Sequence, residues 1–302
     1  MVKVAVLMST YNGGRYIEQQ LESLSLQEGV EVEVLVRDDG SSDSTCAILE
    51  KWRAKMNLSW YTGENLGSAW SFMDLLYNAP AADYYAFCDQ DDVWFACKLQ
   101  RAVEKIAACK EGEGREVLYF SAQRLTDGEL NVIGDSVPRR LFTFGESLLR
   151  NPAAGCTMVF NNKLMQLVKR EKPAYLYMHD MWLYMVCMAV DGVLLFDAEP
   201  TMFYRQHGGN VVGYNASLSA TIKRRFKSFL AGKEAVRLKT CQELLRCYAC
   251  DMSRRNRDIL ECVAAYRSSF AMKCRAAFLP ELTSVEWWTR IAVVLTFFTN
   301  RF

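Results

Sequence analysis

The densest chemistry in this chain is the run Asp89-Gln90-Asp91-Asp92, placed directly after the apolar stretch Tyr84–Cys88. Carboxylates at alternate positions past a strand end, here Asp89 and Asp91, can converge on one divalent cation. Mg²⁺ and Mn²⁺ take hard oxygen ligands and complete their shells with water and substrate phosphate. A cation held there would neutralise a departing diphosphate. The same four residues also read as a solvated acidic turn capping the next helix. A second cluster, Asp38-Asp39-Gly40-Ser41-Ser42-Asp43, can accept from a pyrimidine N–H or a ribose hydroxyl, with Gly40 letting the backbone turn closely. Ser41 and Asp43 equally suit helix capping.

Asp180 follows Tyr177-Met178-His179 and opens an apolar helix. It can serve as a helix cap. Partly desolvated, it can instead be a general base whose pKa rises toward working pH. His207 is one of only two histidines, the other being His179. Its neutral imidazole could complete a metal shell, and Arg205 could pair with diphosphate oxygens. Trp94, Trp182 and His179 are candidates for the acceptor or sugar surface, although core packing suits both tryptophans as well. Lys98 fits a solvated helix face better than a phosphate contact. Cys247-x-x-Cys250, with Cys241 and Cys262, has helical spacing and no compact zinc pattern.

These residues need elements to position them. Val2–Met8 is a continuous apolar run ending in Ser9-Thr10-Tyr11-Asn12-Gly13-Gly14, as expected of a buried strand entering a turn. Tyr16–Gln27 has Ile17, Leu21 and Leu24 on one helical face. Val30–Val36 and Leu58–Tyr61 read as further strands. Helices are expected after Ser41–Asp43, through about Met56, and from Gly67. Alternating strand and helix with short connections means parallel βαβ units with helices on both sheet faces. Ligands bind such sheets outside the carboxyl ends of the strands, which is where the polar clusters fall. Later, Gly155–Asn161 and Val193–Phe196 read as short strands and Asp180–Val190 as a helix. Beyond Ser217 the pattern is helical with basic faces, at Ile222–Leu230, Glu234–Tyr248 and Asp258–Phe270.

The net charge of +1 hides an asymmetry. Residues 218–302 hold 16 Lys+Arg against 7 Asp+Glu, whereas residues 1–217 hold 20 against 28. Expected units are therefore a catalytic domain over 1–217 and a basic helical extension over 218–302. Such an extension suits peripheral contact with an anionic membrane, and nucleic acid is not an expected partner. Ile291–Phe298 is too short to span a bilayer, which needs about 20 apolar residues. It could lie in the interface or pack on the domain. The N-terminus lacks the long apolar region of a signal peptide. Eleven scattered cysteines, some inside apolar runs, fit a reducing cytoplasm.

Ser9-Thr10-Tyr11-Asn12-Gly13, Asp38–Thr45, Asn65-x-Gly67 and Asp89-Gln90-Asp91-Asp92-Val93-Trp94 together resemble the inverting family-2 glycosyltransferases. Within that family the chain is most similar to bacterial rhamnosyltransferase-like members, through His179-Asp180 and Tyr204–Gly213. The resemblance covers about residues 3–213. It implies an α/β GT-A fold, a mostly parallel sheet flanked by helices, with a nucleoside diphosphate sugar donor and Mg²⁺ or Mn²⁺. It places Thr10, Tyr11, Asn12 and Asn65 around the nucleotide, and Asp38 or Asp39 on base or ribose. Asp89 would lie near ribose and metal, Asp91 would ligate the metal, and Asp180 would be the catalytic base. The implied donor is dTDP-rhamnose, and the acceptor a glycan or lipid-linked glycan of a cell-surface polysaccharide. Two other readings are a nucleotidyltransferase and a nucleotide- or glycan-binding module without turnover. The first lacks a basic phosphate loop after strand one.

Overall fold

The computed structural model describes residues 1–136, 141–207, 236–283 and 287–302. Its first part alternates strand and helix: β1 (Lys3–Thr10), α1 (Ile17–Ser25), β2 (Glu31–Asp38), α2 (Thr45–Arg53), β3 (Leu58–Thr62), α3 (Ser68–Asn78) and β4 (Tyr84–Cys88). Val4 through Met8 are fully buried. Covered on both faces, β1 needs the continuous apolar run that its sequence supplies. Ala5 and Leu7 join the cluster beneath α3, while Val4, Val6 and Met8 join the one beneath α1 and α2. That alternation is the period-two geometry of a strand.

β1 pairs in parallel with β2 and β4, and β2 with β3. Thr10 stands beside Asp38, and Met8 beside Cys88, so the loops leaving these strands emerge along one edge.

The sheet then becomes mixed. β5 (Val93–Trp94), α4 (Lys98–Ala107), β6 (Val117–Thr126), β7 (Val132–Asp135), α5 (Phe144–Ser147), β8 (Val159–Asn161), α6 (Asn162–Arg170), α7 (His179–Ala189) and β9 (Val193–Arg205) follow in order. Across the sheet the order is β3-β2-β1-β4-β8-β6-β9-β5, with β7 beside β6. β8 is antiparallel to β4 and β6, whereas β6 and β9 are parallel. β9 extends well past the expected Phe196, because the polar stretch Asp197-Ala198-Glu199-Pro200 is absorbed by slips in its register with β6. Asp197 is held there by Arg101 at 2.5 and 3.0 Å and by the Tyr119 hydroxyl at 3.0 Å. The extension delivers Arg205 and His207 to the same edge as the β1 and β4 loops.

The last described helices are α8 (Val236–Tyr248), α9 (Arg254–Ala264), α10 (Phe270–Ala277), α11 (Pro280–Thr283) and α12 (Trp287–Phe298). Leu238, Leu244, Tyr248, Leu260, Tyr266 and Phe297 join the cluster that also contains Trp182 and Val186 of α7. The expected helix at Ile222–Leu230, the run after His207 and the boundary at 217/218 lie outside the described residues. No described helix is long and apolar enough to cross a membrane.

Candidate active site

Three loops meet at the carboxyl edge of β1, β2 and β4, and side chains stitch them together. Asn12 donates its N–H to Ser41 Oγ at 2.8 Å, and its Oδ1 accepts from Ser42 N at 2.9 Å. Asp43 accepts from Gly14 N and Thr45 N, both at 2.9 Å, so it ties the β1 loop to the first residue of α2. Gln90 binds the third loop to the first: its Oε1 accepts from Thr10 Oγ1 at 2.6 Å and Tyr11 N at 2.9 Å. Its amide returns a bond to Tyr11 O at 3.1 Å. Asn12 has φ 48°, a left-handed conformation that asparagine tolerates better than most residues.

The two β2 aspartates differ in their engagement. Asp39 accepts from Leu66 N and Gly67 N at 2.9 Å each and pairs with the Arg37 guanidinium. Gly67, at φ 73°, also donates its N–H to Asn65 Oδ1 at 3.1 Å. Asp39 therefore shapes the loop carrying Asn65. Asp38 uses Oδ2 on Gly40 N, Ser41 N and Thr62 Oγ1 at 2.9–3.2 Å, but its buried Oδ1 has no hydrogen-bond partner. Buried acceptors seldom stay unmatched.

Beyond β4, Asp91 Oδ2 lies 2.7 Å from His207 Nε2, and that imidazole stacks on Tyr16 with centroids 5.0 Å apart. The two residues come from the β4 loop and the far end of β9. Asp89, Asp92 and Cys156 offer ligand atoms within 4.8 Å of one another. Asp92 is fully buried; one oxygen accepts from Arg205 N at 3.2 Å and the other is unpartnered.

Asp180 lies in the first turn of α7, whose N-cap is Met178. Its Oδ1 accepts from its neighbour Met181 N at 2.6 Å. Burial raises its carboxyl to about 6, against the pull of the Met181 and Gly155 N–H groups and the Asn151 side chain. Its charge reaches Asp89, which burial first and then Asp91 and Asp180 push up to about 7. Burial and the same acidic neighbours, Asp91 and Asp89, raise Asp92 as well.

Such crowded carboxylates hold protons for want of positive charge, a balance that a bound cation inverts. Asp89 and Asp92 bring the hard oxygen ligands that Mn²⁺ or Mg²⁺ prefers, with the Cys156 thiol too soft to be preferred, while Asp91 stands paired with His207 at 2.7 Å. These residues fit a divalent ion.

Several candidates stand elsewhere than expected. Trp94 and Trp182 are 3% and 2% exposed, so neither presents a face to a sugar. Trp182 packs near Tyr248, and Trp94 lies under the Lys98 ammonium at 4.5 Å. His179 is in the core too, stacked on Phe72 at 4.0 Å and edge-on to Phe87 at 4.9 Å, and burial lowers it to about 3. His179, Trp182 and Val186 share the inward face of α7, which the apolar content of that helix foretells. Arg205 is turned inward: it donates to Asp91 O at 2.8 Å, to Gly128 O and to Gln19 Oε1, with its guanidinium 4.5 Å over Tyr16. Lys98 is completely buried rather than solvated. Gln90, Asn151 and Cys156 carry no sequence signal for these roles, since each acts through a partner distant in the chain.

Residues 5–128 match the family model described as Glycosyl transferase family 2. The chain is 28% identical over 233 residues to the dTDP-rhamnosyl transferase RfbG of Shigella flexneri, covering 72% of this chain and 77% of that protein. Its fold is similar to that of S. aureus TarS 1-349, with TM-score 0.58 and 20% identity over 98% of this chain and 80% of that one. The TarS complex with UDP-GlcNAc gives TM-score 0.56 at 16% identity, covering 99% and 93%. A mannosyltransferase from Pyrobaculum calidifontis, solved with GDP-Man and Mn²⁺, gives TM-score 0.50 at 16% identity, covering 99% and 88%.

Proposed function

The chain belongs to glycosyltransferase family 2 and has the GT-A fold, and from that premise we propose that it transfers L-rhamnose from dTDP-L-rhamnose to a lipid-linked glycan, with inversion. The similarity to a dTDP-rhamnosyl transferase supports the donor. The observation that carries the mechanism is that Asp180 packs against Gly155, in the turn whose Cys156 Sγ lies within 4.8 Å of Asp89 and Asp92.

The nucleoside sits over Thr10, Tyr11 and Asn12, beside Asn65. Asp38 Oδ1, the unmatched acceptor, takes a donor from base or ribose. Asp39 and Arg37 hold the neighbouring loop, and Arg205 holds the backbone of the acidic run rather than the diphosphate. Asp89, Asp91 and His207 would hold Mn²⁺ or Mg²⁺, which supplies positive charge to the diphosphate; the mannosyltransferase with similar fold was solved with Mn²⁺. Asp180, as carboxylate, accepts the proton of the acceptor hydroxyl. The acceptor oxygen forms its bond to the anomeric carbon while the carbon–phosphate-oxygen bond breaks, and the electron pair leaves with dTDP. Burial of Asp180 suits this role, because a carboxylate of pKa about 6 is a better base than a solvated one and is still ionised at neutral pH. We place the reaction in the cytoplasm, with residues 218–302 as an extension to the catalytic domain.

The test is release of dTDP from dTDP-rhamnose with Mn²⁺, compared with UDP- and GDP-sugars. Faster turnover of a different donor would replace rhamnose in this reading. Binding without release from any donor would favour a module lacking turnover.

A further inference from the structure

Five large apolar side chains stand out on the last helices: Phe270, Phe278, Ile291, Leu295 and Phe298, each 38–73% exposed. Ile291, Leu295 and Phe298 recur at helical spacing on one face of α12, while Val293 and Phe297 on its other face are buried. Phe298 joins the two helices, with its ring centroid 6.1 Å from Phe270 and 6.5 Å from Phe278. The patch is therefore continuous. Isolated exposed apolar residues are ordinary, but a contiguous aromatic patch marks a contact surface.

Its charged surroundings select the partner. Over residues 267–302 the chain carries Arg267, Lys273, Arg275, Arg290 and Arg301 against Glu281 and Glu286. Arg275 and Arg290 are exposed, and Glu281 is engaged with Arg255 at 3.6 Å. α12 has 12 residues, about 18 Å of helix, against a hydrocarbon core of about 30 Å. An apolar face of this length flanked by cations suits the plane of a bilayer interface, with acyl chains under the phenyl rings and anionic headgroups on the arginines.

We propose that the α10–α12 face docks on an anionic lipid bilayer. This deepens the functional reading and rests on it in one respect, since a lipid-linked acceptor is presented at that surface.

The experiment is co-sedimentation of the full chain with phosphatidylglycerol or phosphatidylcholine vesicles, alongside dTDP release and thermal melting. Wild type is expected to favour phosphatidylglycerol by at least about tenfold at low salt and to lose that preference at high salt. Ile291→Glu with Leu295→Glu should lower the bound fraction by about tenfold or more, with melting temperature and dTDP release unchanged. Should that pair unfold, Arg275→Glu with Arg290→Glu must abolish the lipid preference instead. Wild type failing to sediment with phosphatidylglycerol overturns the proposal, as does equal sedimentation by the folded variants. A dimer that the Glu pair converts to monomer, with vesicle binding unaltered, also overturns it by assigning the face to a second copy. Loss of dTDP release with vesicle binding intact counts against the functional reading alone.

Discussion

The ammonium of Lys98 lies 2.9 Å from the carbonyl oxygen of Cys156, in a fully buried position that also brings it 3.4 Å from Thr201 Oγ1. One cation thus joins α4, the turn Gly155–Thr157 and β9. That turn supplies the Gly155 N–H that acts on Asp180. Burial lowers Lys98 from 10.5 to about 8. Between those values the unfolded chain binds more protons at this site than the folded one, so the site's contribution to stability rises with pH. Urea melts should show wild type gaining up to about 3 kcal/mol on Lys98→Met from pH 8 to pH 10.5. A difference that stays flat across that range would contradict the burial of a charged amine here.

Asp180 gives the clearest pH signature. As a base it must be ionised, and its carboxyl is held up to about 6 by burial. Turnover should therefore fall about tenfold per pH unit below that point and level off above it. Asp180→Asn should leave the donor KM nearly unchanged and lower kcat by about 10²–10⁴. Near-normal turnover in that variant would remove Asp180 from the role of base.

The Asp91–His207 pair separates direct from supporting ligation. Asp91→Asn should abolish Mn²⁺-dependent donor binding by destroying the site, as read by calorimetry with and without metal. His207→Gln should raise the Mn²⁺ needed for half activity by about 10- to 100-fold. Unchanged Mn²⁺ dependence in Asp91→Asn would mean that the ion is held elsewhere.

What could be read from the chain follows from what each signal measures. β1, β2 and β4 are legible because burial on both faces demands apolar runs, as in Val4–Met8. The polar clusters were legible because a parallel sheet gathers its strand ends on one edge. β9 reads as ending at Phe196 because Asp197 and Pro200 look like a turn, and Arg101, Lys105 and Tyr119, remote in sequence, make Asp197 tolerable within a strand. Trp182 and His179 are placed by the packing of α7, which periodicity describes only as a face. Gln90 sits between the metal candidates and looks like a spacer, yet it is the clasp between the β1 and β4 loops.

Arg205 tests whether a cation at the end of β9 serves the ligand or the scaffold. Its side chain reaches Asp91 O, Gly128 O and Gln19 Oε1 and covers Tyr16, and the residue is only 2% exposed. Arg205→Met retains much of the apolar stem but leaves those acceptors without their donor. An unsatisfied buried polar group costs about 1–3 kcal/mol, so the variant should lose at least about 2 kcal/mol in urea melts. The acidic run would loosen with it, and the Mn²⁺ needed for half activity should rise because Asp91 loses the bond that holds its backbone. An unchanged melting curve with a donor KM raised about tenfold, or about 1.4 kcal/mol of donor binding, would show instead that the guanidinium meets the diphosphate.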